Sequence, residues 1–299
     1  MLEIDQLRKR YGNVAALDGC SFTAAPGRMV GFLGPNGSGK TTTMRSIFGL
    51  VHLDSGEVRW RGAPVGPEAR RRFGYMPEER GLYGRSRVGD QVRYFARLHG
   101  SSAHAAAEET GRWLERLGLE DREQSRVEEL SHGNQQRVQL MVALVHEPDV
   151  IVLDEPFSGL DPVGVDSLGE MLRAEAARGA AVVFSSHQLD LVQSLCDDVA
   201  VIDHGRVVLH GDLDEVRAAS AHRYVEASVA PSNGGSSMWP PRDGGVEQVW
   251  QRGHEVRLRV DRGTDPGPLL TLASQAGTVE YFRFEPPSLS DLFMEAVRR

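Results

Sequence analysis

The residues best suited to chemistry lie in one run, GPNGSGKT at residues 34 to 41, in which glycines precede a lysine and a threonine. Glycines let a loop curl so that its backbone N–H groups face a phosphate, and a helix behind the loop adds its positive dipole end. The run fits GxxxxGK[ST] between a short apolar strand, Met29 to Leu33, and a helical run from Thr41. The alternative is a glycine-rich turn that contains a lysine by chance, but such a turn would not require a strand before it and a helix after it. The residues predicted to contact a nucleotide here are Gly34, Pro35, Asn36, Gly37, Ser38, Gly39, Lys40, Thr41 and Thr42.

Two carboxylates follow a second apolar strand, Val150 to Leu153, at the strand end where ligands bind in open α/β sheets. Asp154 is predicted to hold Mg²⁺, mainly through water, together with the hydroxyl of Thr41. Glu155 is predicted to orient and polarise the attacking water. A strand that merely ends in acids on a solvated edge is the alternative. The preceding loop, whose Lys40 is predicted to reach the β- and γ-phosphates, favours a P-loop nucleoside triphosphatase instead.

A third phosphate-binding candidate is LSHGN at residues 130 to 134, which opens a helix shortly before the Asp154 strand. Ser131 and Gly133 at a helix N-terminus can form a second phosphate cradle. One chain cannot easily wrap one nucleotide with both cradles, whereas a head-to-tail dimer can place each nucleotide between one P-loop and the other subunit's helix. The alternative is an ordinary helix N-cap at Ser131.

These motifs, in this order and spacing, resemble the nucleotide-binding subunit of ABC transporters over roughly residues 1 to 220. The matching segments are GPNGSGKT (34 to 41), LSHGN (130 to 134), VIVLDE (150 to 155), SGLD (158 to 161) and Ser186-His187, in the family's terms Walker A, signature, Walker B, D-loop and switch histidine. The resemblance implies an α/β fold: a cassette with a mixed sheet core, an antiparallel β subdomain and a helical subdomain at about 80 to 130. It also implies ATP as the nucleotide and Mg²⁺ as the cofactor.

The resemblance further implies roles for residues that chemistry alone leaves open. His187 would sense the γ-phosphate and act in catalysis, and Tyr11 would stack on adenine. The residues implied to contact nucleotide across the dimer are Ser131, Gly133, Asn134 and Asp161. Each has a simpler alternative: a surface turn residue for Tyr11, a satisfied strand-end histidine for His187, and a helix N-cap before Pro162 for Asp161.

Three positions depart from the family pattern. His132 and Asn134 stand where the signature commonly has Gly and Gln, but the Ser and the second Gly remain. Glu78 occupies the Q-loop position, where a carboxylate still offers oxygen to Mg²⁺ but brings a negative charge. The runs YMPEERGLY and LSHGNQQRV are similar to ATPases that pair with ABC-2-type exporter permeases, among them drug, antibiotic and sodium export systems.

Strand-like and helical runs alternate over most of the chain, which predicts a mostly parallel sheet with helical cover. An antiparallel region opens the chain, a helical region spans about Val88 to Leu119, and a hairpin is predicted around Asp203 to Arg206. Residues 230 to 245 are predicted to be a flexible, turn-rich loop. The predicted domains are therefore an ATP-binding domain at 1–220 and a small α+β domain at 221–299, which ends with a helix capped by Ser288. The resemblance implies that the second is an accessory domain.

Composition limits the possible classes of function. The net charge of −8 and the pI near 5.7 argue against a general nucleic-acid binder. Cys20 and Cys196 lie among apolar residues without a metal-ligand pattern, so we expect buried free thiols in a reducing compartment. The N-terminus lacks the apolar core of a secretory signal, and no apolar stretch approaches the ~20 residues of a spanning helix.

We therefore expect a cytoplasmic ATPase that is peripheral on the inner face of the cell membrane and works through a partner chain. The resemblance implies a separate ABC-2-type membrane permease and a dimer of ATPase subunits. Because every catalytic position is intact, a homodimer is favoured. Leu82 and Tyr83 are candidates for a permease-docking groove, or for a buried core. Two alternatives stay open: a non-transport ABC ATPase acting on nucleic acid or ribosomes, and a regulatory nucleotide-binding module without turnover.

Overall fold

A computed structural model describes residues 1–79, 81–231, 239–241 and 245–297. The chain divides into two compact units, Met1–Asp212 and Leu213–Arg299, called here the N-terminal and C-terminal units. The division falls after Asp212, whereas the sequence predicts a boundary at residue 220. Within the predicted turn-rich loop, residues 232–238 and 242–244 lie outside the described residues. No helix in the described part of the chain is both long enough and apolar enough to cross a membrane.

The N-terminal unit contains ten strands and seven α-helices within its described residues. The strands are β1 (Leu2–Tyr11), β2 (Val14–Ala24), β3 (Met29–Leu33), β4 (Ser55–Trp60), β5 (Ala63–Pro64), β6 (Phe73–Met76), β7 (Val150–Leu153), β8 (Ala181–Ser185), β9 (Asp198–Asp203) and β10 (Arg206–Asp212). The helices are α1 (Lys40–Ile47), α2 (Pro67–Arg70), α3 (Val88–Leu98), α4 (Ala103–Leu117), α5 (His132–Leu144), α6 (Pro162–Ala177) and α7 (Leu189–Leu195).

The central sheet has six strands in the order β10-β9-β3-β8-β7-β6. The pairs from β9 to β6 are all parallel, and β10 returns antiparallel to β9, which confirms the predicted hairpin. Every residue of β3, β7 and β8 is buried, as expected for central parallel strands covered on both faces. Parallel strands point the same way, so the loops after β3, β6, β7 and β8 emerge at one edge of the sheet.

An antiparallel sheet, ordered β2-β1-β4-β5, packs against the central sheet through a shared apolar core. Phe22 on β2 stacks on Phe32 of β3 with ring centroids 4.8 Å apart, and Trp60 on β4 meets Phe73 of β6 edge to face. Burial of one such ring contributes roughly 1.5–3 kcal/mol. Met44 and Ile47 of α1 belong to this core, and the P-loop before α1 meets β2 at Ala16, near the start of that strand.

The predicted helical region, about Val88 to Leu119, contains two helices. The first, α3, ends at Leu98, and the second, α4, begins at Ala103. Gly100 adopts φ +105°, a conformation that L side chains rarely take, and the Ser102 side chain caps α4 by accepting from the Ala105 amide at 3.1 Å. Local turn chemistry thus separates the two helices.

The C-terminal unit is a four-stranded antiparallel sheet with three helices in its described residues. Its elements are α8 (Leu213–Ala219), β11 (His222–Pro231), β12 (Glu247–Arg252), β13 (Glu255–Asp261), α9 (Pro266–Ala276), β14 (Gly277–Glu285) and α10 (Leu289–Val297), with strand order β12-β13-β11-β14. Val225, Leu258 and Leu269 belong to its apolar core. The predicted capping box of α10 is confirmed, since the Ser288 amide donates to Asp291 at 2.8 Å and the Asp291 amide donates to the Ser288 hydroxyl at 3.2 Å.

Candidate active site

One pocket at the C-terminal edge of the central sheet gathers most of the predicted site. It encloses about 770 Å³, including its open mouth. Its lining residues are Ala16, Asn36, Gly37, Gly39, Lys40, Thr41, Thr42, Glu78, Asp154, Glu155 and His187. Four of the contributing loops follow β3, β6, β7 and β8, so the parallel topology brings together residues more than a hundred positions apart in the chain.

The P-loop is shaped by close backbone approaches that only glycine permits. Gly39 adopts φ +112°, and a Cβ there would lie 2.5 Å from the Ala16 carbonyl oxygen. A Cβ on Gly34 would lie 2.3 Å from the Ile202 carbonyl oxygen. The β9–β10 turn also anchors the loop, because the Gly205 amide donates to the Ser38 carbonyl at 2.8 Å. The loop is therefore clamped between β2 and the hairpin.

Lys40 is buried under this loop and donates to its carbonyl oxygens, to Gly34 at 2.6 Å and to Pro35 at 3.1 Å. Burial lowers the pKa of Lys40, and the carboxylates of Glu155, Asp154 and Glu78 oppose that shift. The hydroxyl oxygen of Ser38 is buried and makes no hydrogen bond. A buried cation and an unpartnered hydroxyl are what a polyanionic phosphate chain would satisfy.

Thr41 and Asp154 form the oxygen-rich side of the pocket. The Thr41 hydroxyl donates to Asp154 Oδ2 at 3.0 Å, and Asp154 is almost fully buried. The Asp154 amide donates to the Met76 carbonyl at 2.8 Å, which ties β7 to the end of β6 just before Glu78. Hydroxyl and carboxylate oxygens are the donors that Mg²⁺ prefers, so the predicted set of Thr41, Glu78 and Asp154 fits that ion chemically.

Glu155 stands beside His187, whose Nε2 lies 3.1 Å from Glu155 Oε1. Burial is the largest influence on the pKa of Glu155 and raises it; His187 and Lys40 pull it down, and Asp154 pushes it further up. A carboxylate with a raised pKa accepts a proton more readily than an ordinary one near neutral pH. The geometry therefore suits Glu155 to receive a proton, with His187 close enough to orient it.

Ser185, at the end of β8, was not predicted and organises both acids. Its hydroxyl donates to Asp154 Oδ1 at 2.7 Å and accepts from the Glu155 amide at 2.8 Å. Ser185 is completely buried. A hydroxyl residue two positions before His187 is the only sequence signal, and it becomes meaningful only once β8 is known to lie beside β7.

Eight predicted nucleotide contacts are not among the lining residues: Gly34, Pro35 and Ser38 lie within the P-loop itself, and Tyr11, Ser131, Gly133, Asn134 and Asp161 lie elsewhere. Tyr11 is half exposed at the end of β1, with the Lys9 ammonium 5.3 Å from its ring centroid. Ser131 caps α5 by accepting from the Asn134 amide at 3.4 Å. Asp161 caps α6 by accepting from the Gly164 amide at 2.8 Å. The capping roles thus exist in the single chain, and the cross-subunit roles of Ser131, Gly133, Asn134 and Asp161 remain predictions, as does adenine stacking by Tyr11.

Two family models match the chain. One, described as "ABC transporter", matches residues 17–158. The other, described as "ATP-binding protein DrrA1-3-like, C-terminal domain", matches residues 211–297. Most of the chain is therefore matched, including most of the C-terminal unit and every lining residue of the pocket except Ala16 and His187.

Individual relatives agree with these matches. The chain is 37% identical over 297 residues to "Uncharacterized ABC transporter ATP-binding protein YhaQ" of Bacillus subtilis (strain 168), covering 99% of this chain and 98% of that protein. It is 39% identical over 213 residues to "Nod factor export ATP-binding protein I" of Burkholderia pseudomallei (strain 1710b), covering 70% of each. A solved structure described as "Structure of ATP binding subunit of ABC transporter" superposes with TM-score 0.68 at 33% identity, covering 73% of this chain and 92% of that one.

Proposed function

This chain belongs to the ABC transporter ATP-binding proteins, and on that premise we propose that it powers export through a separate membrane permease by closing two copies of itself around ATP. The predicted family, cassette fold and ATPase activity are confirmed by the matches. The protein binds and hydrolyses ATP as the ATPase subunit of a transporter. The names of its relatives favour transport over the nucleic-acid or ribosome alternative.

The observation that carries the proposal is the joining of P-loop and acids in one pocket. Lys40 and the P-loop amides would hold the β- and γ-phosphates, and Thr41, Asp154 and Glu78 would hold Mg²⁺, which neutralises phosphate charge when bound. Intact Lys40, Asp154, Glu155 and His187 argue against a regulatory module without turnover.

Glu155 acts as the proton acceptor in the proposed reaction. A water molecule attacks the γ-phosphorus, the bond from that phosphorus to the bridging oxygen breaks, and ADP leaves with the bond's electron pair. The water's proton passes to the Glu155 carboxylate, whose pKa is raised by burial. His187, 3.1 Å from that carboxylate, keeps it oriented and meets the γ-phosphate from its exposed side.

A second copy of the chain would complete the site. Ser131 and Asp161 are exposed at the starts of α5 and α6, outside the pocket of their own chain. Helix N-termini attract anions, so the segment from Ser131 to Asn134 is suited to the γ-phosphate of ATP held by another P-loop. Because each chain has both the P-loop pocket and the segment from Ser131 to Asn134, a head-to-tail homodimer would form two complete nucleotide sites. Hydrolysis would remove the γ-phosphate that joins them, and the dimer would open.

The helical subdomain offers a surface for the permease. Exposed Tyr94 and Leu98 line an open groove on α3 together with Arg93, Arg97 and Asp90, and Tyr83 is exposed nearby in sequence. Exposed apolar residues with a charged rim are typical of interaction sites. We infer that an ABC-2-type permease docks here, which would place the protein at the inner face of the membrane. Export, rather than import, follows from the similarity to a Nod factor export protein.

The test compares the wild-type protein with Glu155→Gln, which keeps the side chain's shape but cannot accept the proton. We expect the variant to lose ATP hydrolysis and, in light scattering, to shift from monomer to dimer on addition of Mg-ATP. Wild-type turnover by the variant would refute the assignment of Glu155 as base. Absence of the dimer, both alone and with the permease co-expressed, would refute the shared site.

A further inference from the structure

Gln136 links the helix that begins at the signature segment to the backbone of Glu155. It lies on α5, which starts directly after Ser131. Its carboxamide nitrogen donates to the Pro156 carbonyl at 3.0 Å and to the Glu155 carbonyl at 3.4 Å. One side chain therefore connects the segment proposed to meet the second subunit's nucleotide with the residue proposed to activate water.

The backbone of Glu155 needs external support. Its φ of +53° lies in the left-handed region, which is uncommon for residues other than glycine and persists where neighbouring groups hold it. The amide of Glu155 is held by the Ser185 hydroxyl at 2.8 Å, and its carbonyl accepts from the Ser158 amide at 3.2 Å as well as from Gln136. The direction of the Glu155 carboxylate depends on this conformation, so both sets of hydrogen bonds aim it.

Gln136 makes a polar link between α5 and the segment after Glu155, and buried side chains pack beside it. Leu140 on α5 and Pro156 are both buried, and together with Gln136 and Leu160 they line a shallow crevice. Close-packed side chains transmit a displacement, and the Gln136 carboxamide adds a directional contact to the Glu155 carbonyl. A shift of α5 would therefore reach the Glu155 segment through this packing and through the Gln136 carboxamide.

A second glutamine on the same helix repeats the arrangement toward the other acidic loop. Gln139 is buried, lies three residues after Gln136 and donates to the Pro77 carbonyl at 2.6 Å. Pro77 immediately precedes Glu78, so α5 contacts the backbone beside both acidic loops of the pocket. Residues three apart lie on the same helix face, which allows a single movement of α5 to act on both loops.

We propose that Gln136 is a positioning residue that couples the signature segment of a subunit to the Glu155 carboxylate of the same subunit. The inference rests on the proposed function, in which Ser131 to Asn134 meet the nucleotide of the second copy and Glu155 activates water. When ATP in the partner's pocket draws the start of α5 into place, Gln136 sets the Glu155 backbone. Each ATP pocket of the dimer thereby senses whether the other is filled.

The experiment replaces Gln136 with Met in the full-length protein, which keeps side-chain length but removes the N–H donor. We expect kcat to fall roughly 10- to 100-fold, as for small misplacements of a reacting group, while KM and the dissociation constant of a fluorescent ATP analogue change less than about twofold. Gln275→Met makes the same chemical change at an exposed position of α9 and should leave kcat unchanged.

A double mutant separates positioning from general damage. If Gln136 acts only through Glu155, adding Gln136→Met to Glu155→Gln should not lower the residual turnover further, and ATP-dependent dimerisation should persist. Full kcat in Gln136→Met, or equal losses in kcat and nucleotide affinity, would overturn the inference. Wild-type turnover in Glu155→Gln alone would instead overturn the proposed function, so the two failures are distinguishable.

Discussion

The ATP pocket of the N-terminal unit and a cleft in the C-terminal unit are similar in size and both contain many ionisable groups. The second cleft encloses about 910 Å³, and its lining residues are His222, Tyr224, Glu247, Val249, Arg259, Asp291, Met294 and Glu295. There the charges pair with one another: Arg257 binds Asp291 at 2.6 Å, Arg259 pairs with Glu247, and His222 Nδ1 lies 3.2 Å from Glu295. In the ATP pocket, by contrast, Lys40 donates to its own loop's carbonyls.

The difference shows how residue types alone mislead about function. The C-terminal cleft has acids, cations, a histidine and a tyrosine, and its cations pair with its acids. Burial, then Asp291 and Glu295, raise the pKa of Tyr224 to about 12 and keep it protonated. In the ATP pocket the buried cation Lys40 is instead held by backbone carbonyls of a loop that glycines shape. The partner of the buried cation, rather than charge density, distinguishes the two clefts.

The largest expected effect tests whether the ATP pocket needs the charge of Lys40. Lys40→Ala should lower ATPase activity roughly 10²- to 10³-fold, the cost of removing one electrostatic contact to a reacting group, and should weaken ATP binding. Lys40→Arg is the matched control: it keeps the charge but not the compact ammonium, so it should not restore activity. Near-wild-type hydrolysis by Lys40→Ala would contradict the conclusion that the ATP pocket, unlike the C-terminal cleft, uses its buried cation to bind a ligand.

A pH profile of kcat tests the state of Glu155. The proposed base, Glu155, would work when ionised, and a raised pKa means that ionisation is lost at a higher pH than for an ordinary glutamate. On the acid side of the profile, kcat should therefore fall by about tenfold per pH unit. The apparent pKa of that fall should lie above the ordinary glutamate pKa of about 4.3. An apparent pKa at or below that value would contradict the inference that burial raises the pKa of Glu155.

Ser185→Ala probes the unpredicted support of both acids. Losing the hydroxyl frees Asp154 Oδ1 and leaves the Glu155 amide without its acceptor, so we expect kcat to fall about tenfold, near 1.4 kcal/mol. Steady-state assays check this, and Ser194→Ala, at an exposed position of α7, should behave as wild type. An unchanged kcat would mean that other contacts hold the two acids.

The smallest effect on activity is expected in the C-terminal cleft. Glu295→Gln weakens the contacts to His222 and Arg259 and should cost about 1 kcal/mol of unfolding free energy. Denaturant unfolding would measure that loss. ATPase activity should stay within about twofold of wild type; a larger drop would show that this cleft takes part in the ATP cycle.

Much of the pocket was predictable because its residues cluster in short motifs. The P-loop, Asp154 and Glu155 each follow an apolar strand, and this sequence context alone predicts that they lie at the ends of strands. The hairpin at Asp203 to Arg206 and the capping box of α10 could likewise be recognised from residues that are neighbours in the sequence. The roles of Ser185 and Gln136 depend on neighbours far along the chain and were not predictable.

The sequence by itself determined the chemistry of the site, because loop glycines, a lysine and terminal acids act through their own types and local spacing. Only the tertiary structure decided which groups meet. Ser185 reaches Asp154 because β8 pairs with β7, and Gln136 reaches Glu155 because α5 packs beside the segment that follows β7. It also decided which charges are satisfied: pairing across β11, β13 and α10 occupies the C-terminal cleft, whereas the clamped P-loop leaves its pocket open. Such pairing depends on distances in space, which local spacing does not encode.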